Sequence, residues 1–175
     1  MDIFKLPPIH KACGSDDLRP VMSYILIDEG YAIATDAHIL VALDLFETCL
    51  EKKTIEALNQ KLIPKEFWKL MSKTMLVPQG IEVEEKQMSF INKQGFRITC
   101  PFGTDNYPNY KAILVKDKGS VERIGLNPIL LMSVFECLGK PINLRLHFLS
   151  ESKAIMVYPN TGSNSYALIM PVMIS

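Results

Sequence analysis

The sequence predicts an α+β fold in which tandem strand–helix–three-strand (βαβββ) units build antiparallel sheets with the helices on one face. Three observations support this fold class. Short apolar stretches alternate with polar residues at the two-residue period of strands. Two stretches that open on a proline have the three- and four-residue apolar spacing of helices. The order strand, helix, three strands occurs at 61–100 and again at 121–174, and 2–45 fits a third copy with a shortened or lost helix.

The first unit is predicted to contain four strands and little helix. Glu29-Gly30 predicts a hairpin turn between two of the strands. The polar stretch Thr35–His38 separates two apolar runs, so it predicts a tight turn across which Asp36 and His38 form hydrogen bonds. The predicted strands are 2–6, 21–28, 31–34 and 39–45, with at most two helical turns at 9–13.

Each of the two later units contains a helix that opens on a proline. In the helix predicted at 64–73, Phe67, Leu70 and Met71 share one face. Asn127 is predicted to cap a second helix that starts at Pro128 and ends at Gly139. The other predicted strands are 61–63, 81–84, 88–91, 96–100, 142–149, 154–158 and 166–174, with extended segments at 111–115 and 121–125, while 54–59 fits a short helix or a loop.

Composition limits the class of protein. The 175 residues are 48% hydrophobic, which is enough for one domain or for two small domains that share a core. The 19 Lys and Arg residues equal the 19 Asp and Glu residues, so nucleic-acid contact would require a locally basic face. We expect no signal peptide and no membrane span. The four cysteines are scattered, which favours reduced thiols and a cytoplasmic location.

No stretch has the residue pattern of an enzyme active site. We find no glycine-rich phosphate loop, no nucleophile motif and no metal-ligand spacing. His10, Cys13 and Asp16 lie close together, but in a loop rich in proline and glycine, so a metal site is the less favoured interpretation. We expect a non-enzymatic protein with no cofactor and no metal, and keep an enzymatic or small-molecule-binding α+β domain as a less favoured alternative.

Four motifs, in the same order, resemble motifs of the bacterial sliding clamp, the beta subunit of DNA polymerase III. Residues 34–43 (ATDAHILVAL) resemble the clamp motif ATDGHRLA, although Ala37 and Ile39 replace its Gly and Arg. Clamp chains are longer, with three domains, and end in an Arg-Leu that is absent here. The other motifs are Arg-Pro-Val-Met at 19–22, Tyr-Pro-Asn-Tyr at 107–110 and Leu-Ile-Met-Pro-Val at 168–172.

The resemblance implies a DNA-clamp-like fold, with a clamp-like domain at 1–115 and a βαβββ half-domain at 116–175 that shares its core. It also implies a processivity factor of DNA replication, which takes the peptide motifs of DNA polymerases or a clamp loader in a hydrophobic cleft. From the pattern alone, the favoured interpretation of Leu40, Ile113, Leu168 and Met170 is that they belong to the strand core. Carried over by motif position, the cleft would be lined by Thr35, His38, Leu40, Pro108, Ile113, Leu168, Met170 and Pro171.

Family clamps also hold double-stranded DNA inside a ring whose inner wall consists of helices with basic side chains. Such contacts go to phosphates and weaken with salt. Lys65, Lys69 and Lys73 form a basic stripe on the predicted helix 64–73 and are the candidate DNA-binding residues, with a solvated helix face as the alternative. A ring would require self-association of this chain. The alternative function is a clamp-like adaptor or decoy that binds replication proteins without encircling DNA.

Overall fold

The computed structural model describes residues 6–15, 18–75, 80–114, 124–150, 152–159 and 162–172. Within these ranges it contains strands, three α-helices and short 3-10 helices. The strands are β1 (Tyr24–Asp28), β2 (Tyr31–Thr35), β3 (Ile39–Asp44), β4 (Leu62–Pro64), β5 (Glu82–Val83), β6 (Gln87–Ile91), β7 (Arg97–Pro101), β8 (Leu144–His147), β9 (Ile155–Pro159) and β10 (Tyr166–Ile169). The helices are α1 (Lys52–Ala57), α2 (Lys65–Thr74) and α3 (Pro128–Cys137), with 3-10 helices at Ile9–Ala12, Pro20–Ser23, Leu45–Glu47 and Tyr110–Ile113.

The strands form two antiparallel sheets, as the sequence predicts. A seven-stranded sheet has the order β4-β1-β2-β3-β10-β9-β8, and a three-stranded sheet has the order β5-β6-β7. In the larger sheet Leu168 of β10 lies opposite Leu40 of β3 on one side and Met156 of β9 on the other. Strands from 1–115 and from 116–175 therefore belong to one sheet, while the division of the chain at 115 stays a prediction.

The helices cover one face of the large sheet. Val41 and Ile169 point to this face and are buried in the main core together with residues of α2 and α3. Trp68 of α2 is fully buried, and its indole N–H donates to the carbonyl of Pro7 at 3.0 Å. The Phe67 ring meets the Phe90 ring of β6 at a centroid distance of 5.3 Å. Helix α2 therefore links the smaller sheet to the segment before the first 3-10 helix.

The opposite face of the sheet carries a second, smaller apolar cluster. Leu26, Ile33, Leu40 and Leu168 point to this face because side chains alternate along each strand. The segment 107–114 packs against the same cluster through Tyr107, Tyr110 and Leu114. This covered face is where the candidate peptide cleft lies.

Two predicted extended segments are helical in the structure. The strand predicted at 21–28 begins only at Tyr24, because Pro20 fixes a backbone angle that suits a helical turn and Ser23 Oγ donates to its carbonyl at 2.6 Å. In place of the extended segment at 111–115, Tyr110–Ile113 forms a 3-10 helix. Hydrogen bonds within that turn outweigh the apolar pattern on which the prediction rested.

Other predictions are confirmed or adjusted by a few residues. Asn127 caps α3, since its Oδ1 accepts the Ile129 N–H at 2.9 Å. Pro64 precedes α2 as its cap residue instead of lying in the first turn. The segment 54–59 belongs largely to the short helix α1. Strand β10 ends before Met170 and Pro171, earlier than predicted. Residues 2–5, 115, 121–123 and 173–174 of the predicted strands and extended segments lie outside the described residues.

Candidate functional site

The turn between β2 and β3 is held by side-chain hydrogen bonds to the backbone. Asp36 Oδ1 accepts from the main-chain N–H of His38 at 2.8 Å and of Ile39 at 2.9 Å. Thr35 Oγ1 accepts from Ala37 N–H at 3.1 Å and donates to the Ile39 carbonyl at 2.7 Å. The predicted Asp36–His38 hydrogen bond thus exists, through the His38 backbone. Asp36 therefore shapes the turn and leaves the His38 ring free to face outward.

Ala37 adopts the left-handed conformation in this turn, with φ of 75°. That conformation costs a residue with a Cβ about 1–2 kcal/mol, a cost that glycine avoids. Glycine is the residue of the clamp motif at this position. The turn therefore keeps the geometry that glycine would suit, with the hydrogen bonds of Thr35 and Asp36 stabilising it.

Pairing of β3 with β10 brings the two halves of the candidate cleft together. Leu40 lies opposite Leu168, and the Met170 N–H donates to the His38 carbonyl at 3.0 Å. Leu40 and Leu168 share a face because they lie directly opposite each other in the paired strands, while His38 and Met170 follow at the strand ends. Leu40 and Leu168 are each 2% exposed, whereas Met170 is 44% exposed and His38 is exposed. Two residues therefore form an apolar floor, and two remain accessible at the strand ends.

The segment 107–114 supplies the remaining predicted cleft residues. Tyr107 donates from its hydroxyl to the Ile33 carbonyl at 3.3 Å, which holds the segment against the sheet. Pro108 and Ile113 are exposed on this segment. Pro171 is half-buried after β10, and Thr35 is buried with its hydroxyl used in the turn. The predicted cleft residues therefore fall into two groups: some are buried beneath the surface, and others are exposed on it.

A buried acidic residue fastens this segment to the sheet. Asp28, at the end of β1, is 6% exposed and accepts the Tyr110 hydroxyl at 2.7 Å. Lys111 lies 2.9 Å from the same carboxylate and 2.9 Å from Glu29, and Gln60 also donates to it. Burial opposes ionisation of Asp28, but the hydrogen bonds from Lys111, Tyr110 and Gln60 outweigh it and lower the pKa of the carboxyl. This network was not predicted from the sequence, although the acidic residue that ends the apolar run Ile25–Ile27 indicated a buried carboxylate with partners.

The predicted DNA-binding lysines differ in their surroundings. Lys65 Nζ donates to the Gly14 carbonyl at 2.8 Å and to Ser15 Oγ at 2.5 Å, so it ties down a loop. Lys69 pairs with Glu66 at 3.1 Å. Lys73 is exposed and has no hydrogen bond or ion pair with the described part of the chain. Lys65 therefore keeps its charge but is held at the loop, Lys69 is partly neutralised by Glu66, and Lys73 is the most available of the three.

Helix α3 presents an apolar surface where a DNA-facing helix would carry basic side chains. Its sequence PILLMSVFEC contains no lysine or arginine. Ile129 is 72% exposed and Met132 is 56% exposed. This helix therefore offers no charged contact to a phosphate backbone.

The described residues show neither a metal-ligand cluster nor a membrane-spanning helix. Within those ranges, no group of three or more His, Cys, Asp or Glu side chains is placed to hold a metal ion. None of the described helices has the length and apolar character that crossing a bilayer requires.

No protein-family model and no curated protein matches the sequence. Solved structures do match. The chain is similar to the beta subunit of DNA polymerase from Streptococcus pyogenes, with 14% identity and a TM-score of 0.69 over 97% of this chain and 64% of that one. It is similar to the DNA polymerase sliding clamp of Pseudomonas aeruginosa, with 13% identity and a TM-score of 0.69 over 98% and 65% of the two chains. It is also similar to the DNA polymerase sliding clamp of Bacillus subtilis, with 12% identity and a TM-score of 0.69 over 98% of this chain and 64% of that one.

These likenesses establish the fold class, an α+β protein with the DNA-clamp fold, as the sequence predicted. The structural neighbours are sliding clamps of the DNA polymerase III beta type. The chain spans less than two thirds of the length of each of the three proteins compared above.

Proposed function

We propose that this chain is a non-enzymatic, clamp-like protein of DNA replication that binds short peptide motifs of the DNA polymerase or clamp-loader type. The observation that supports the proposal is the β3–β10 pairing, in which Leu40 lies opposite Leu168 and the N–H of the exposed Met170 donates to the carbonyl of the exposed His38. The segment that carries Pro108 and Ile113 packs against the face of Leu40 and Leu168.

The chemistry of this surface suits a peptide with apolar side chains. Met170 is unbranched and flexible, so it can repack around different ligands. Pro108, Ile113 and Pro171 add apolar surface that keeps its shape, and the exposed His38 ring offers a polar contact for orientation. Burial of exposed Met170 and Ile113 by the ligand would supply much of the binding free energy.

We expect Met170→Ala to weaken the binding of such a peptide about fivefold to tenfold, because it removes apolar contact area from the proposed cleft. The measurement is a fluorescence-anisotropy titration with a labelled peptide from the clamp-binding segment of a bacterial replicative polymerase. Met132→Ala is the matched control, because Met132 is an exposed methionine on α3. Equal affinities of wild type and Met170→Ala, or no binding to either, would remove the cleft.

A clamp-like adaptor that does not encircle DNA is the second candidate function. It is favoured by the apolar outer surface of α3 and by the engagement of Lys65 and Lys69 in contacts within the chain. Of the three candidate DNA-binding lysines, only Lys73 has no hydrogen bond or ion pair with the described residues, which is little positive charge for holding DNA by its phosphates.

For the adaptor we expect a single-chain mass by light scattering and no affinity for a labelled DNA duplex at low salt. A larger mass, together with duplex binding that falls as salt rises, would instead favour a ring-forming clamp. Lys73→Ala should then weaken the duplex binding, whereas Lys53→Ala on α1 should leave it unchanged.

A further inference from the structure

A cavity of about 580 Å³ lies on the helix side of the sheet, away from the β3–β10 face. It is bounded by the segment 6–11, the last turns of α2 and the end of α3. Its volume falls in the range of pockets that bind small organic ligands, roughly 300–1,000 Å³. Neither the peptide cleft nor the adaptor function uses it.

Positive charge dominates the lining of this cavity. Four lysines line it, Lys11, Lys69, Lys73 and Lys140, together with a single carboxylate, that of Glu136. Lys11 pairs with Glu136, and Lys69 pairs with Glu66. Lys73 has no ion-pair partner among the described residues, whereas the pKa of Glu136 is lowered first by Lys11 and to a smaller extent by Lys140, so Lys140 acts on the same carboxylate at longer range.

Helix termini explain only part of this charge. A lysine in the last turn of a helix is stabilised by the partial negative charge there, roughly half a unit, which accounts for the placement of Lys73. Lys11 and Lys69 lie outside the last turn of any α-helix but face the same cavity. The summed charge of the lysines exceeds the partial charges of the two helix ends.

His10 adds an imidazole ring to the lining. Its Nδ1 is buried and has no hydrogen-bond partner among the described residues. Burial and the charges of Lys69 and Lys11 lower the pKa of this imidazole, so the ring is neutral at neutral pH. The Nδ1 atom itself is buried, so His10 contributes to the cavity wall as a neutral ring and not through this nitrogen.

The other wall of the cavity is apolar. Leu6, Pro7 and Pro8 line it, and Pro7 is held in place by the indole N–H of Trp68 at 3.0 Å. Pro8 is the half-buried member of this wall, with Leu6 and Pro7 buried behind it, so a ligand that contacted only the lysines would leave Pro8 in contact with water. The lining therefore suits a molecule that combines an anionic group with an apolar ring.

We propose that this cavity binds a nucleoside polyphosphate, with its phosphates between Lys73 and Lys140 and its base against Pro8. The phosphate oxygens accept charge-assisted hydrogen bonds from the ammonium groups. The base covers the exposed part of Pro8, with the neutral ring of His10 in the same wall. Gly139 and Lys140 leave α3 with φ of 81° and 57°, a turn held by the Lys140 N–H donating to the Phe135 carbonyl at 2.9 Å.

The test is isothermal titration calorimetry of the whole chain with metal-free ATP, pyrophosphate and adenosine as separate probes. We expect one ATP to bind per chain, more tightly than either pyrophosphate or adenosine. The double variant Lys73→Gln/Lys140→Gln should weaken ATP binding by about tenfold or more, because two charge-assisted contacts are lost. The matched control is Lys52→Gln/Lys53→Gln, which removes two exposed lysines of α1.

Several results would overturn the proposal. ATP affinity that is unchanged in Lys73→Gln/Lys140→Gln, or reduced equally in the control, would place the binding elsewhere. Equal affinity for pyrophosphate and ATP would contradict a nucleoside ligand. If a short DNA duplex displaced ATP at a concentration below the one at which ATP itself binds, the lysines would be assigned to DNA binding. The unfolding curves of both double variants should match that of wild type, which would exclude misfolding as the cause of weaker ATP binding.

Discussion

Replacing Asp28 with alanine is expected to lower the free energy of unfolding by about 3 kcal/mol, because it breaks a buried charged network. Asp28 accepts hydrogen bonds from Tyr110 and Gln60 and pairs with Lys111 at 2.9 Å. Without the carboxylate, the Tyr110 hydroxyl stays buried and loses its partner. The measurement is urea unfolding followed by circular dichroism at neutral pH.

The same carboxylate should make stability depend on pH. The pKa of Asp28 is lower in the folded chain than its ordinary value of 3.8. A carboxyl with a lowered folded-state pKa adds stability that is fully present above the unfolded-state value, and this stability is lost as the pH falls through the folded-state value. The stability difference between wild type and Asp28→Asn should therefore stay constant from neutral pH to slightly above the unfolded-state value of 3.8, and shrink as the pH falls below it.

Tyr110→Phe is the matched control for the network. It keeps the ring in the second apolar cluster and removes only the hydroxyl, so we expect a loss of about 1 kcal/mol. An Asp28→Ala variant as stable as wild type would show that the segment 107–114 is held by its apolar contacts alone.

Trp68→Ala should lower the free energy of unfolding by about 4 kcal/mol, because it opens a large hole in the main core. Trp68 is fully buried on α2 and donates to Pro7 at 3.0 Å. Guanidinium unfolding followed by circular dichroism is the suitable measurement, since Trp68 is the only tryptophan and fluorescence would vanish with it.

Trp68→Phe separates the volume of the ring from its hydrogen bond. Phenylalanine fills most of the space, so we expect a loss of about 2 kcal/mol, about half that of the alanine variant. Equal losses in the two variants would mean that the bond to Pro7, and not the packing, accounts for the effect. Losses below about 1 kcal/mol in both would mean that the core closes over the missing ring.

The fold class could be predicted from the sequence because local periodicity determines most of its elements. The alternation around Leu144 and the three- and four-residue spacing around Phe67 each identify one element without knowledge of the rest. The predictions of extended structure at 21–23 and 111–113 were wrong for the opposite reason. There a proline and the hydrogen bonds of a short turn override an apolar pattern that is equally compatible with a strand.

The candidate cleft could be placed only through motif resemblance, and its lining stays a prediction. The pairing of Leu40 with Leu168 has no local signature, because nothing near either residue specifies its partner. The Asp28–Tyr110 contact joins residues 82 positions apart, and the basic cavity joins three separate segments. Such contacts arise from packing of finished elements, which a pattern along the chain does not encode.

The position of β10 between β3 and β9 has a consequence for how the chain folds. All six residues of β3 are buried in the finished sheet, and the hydrogen bond from Asp44 N–H to Ser165 joins residues 121 positions apart. Until that long loop closes, β3 is an unprotected apolar edge strand, which is a template for pairing with another chain. Such distant pairing forms slowly. The arrival of β10 therefore protects the nascent sheet from aggregation and from exchange of strands between copies.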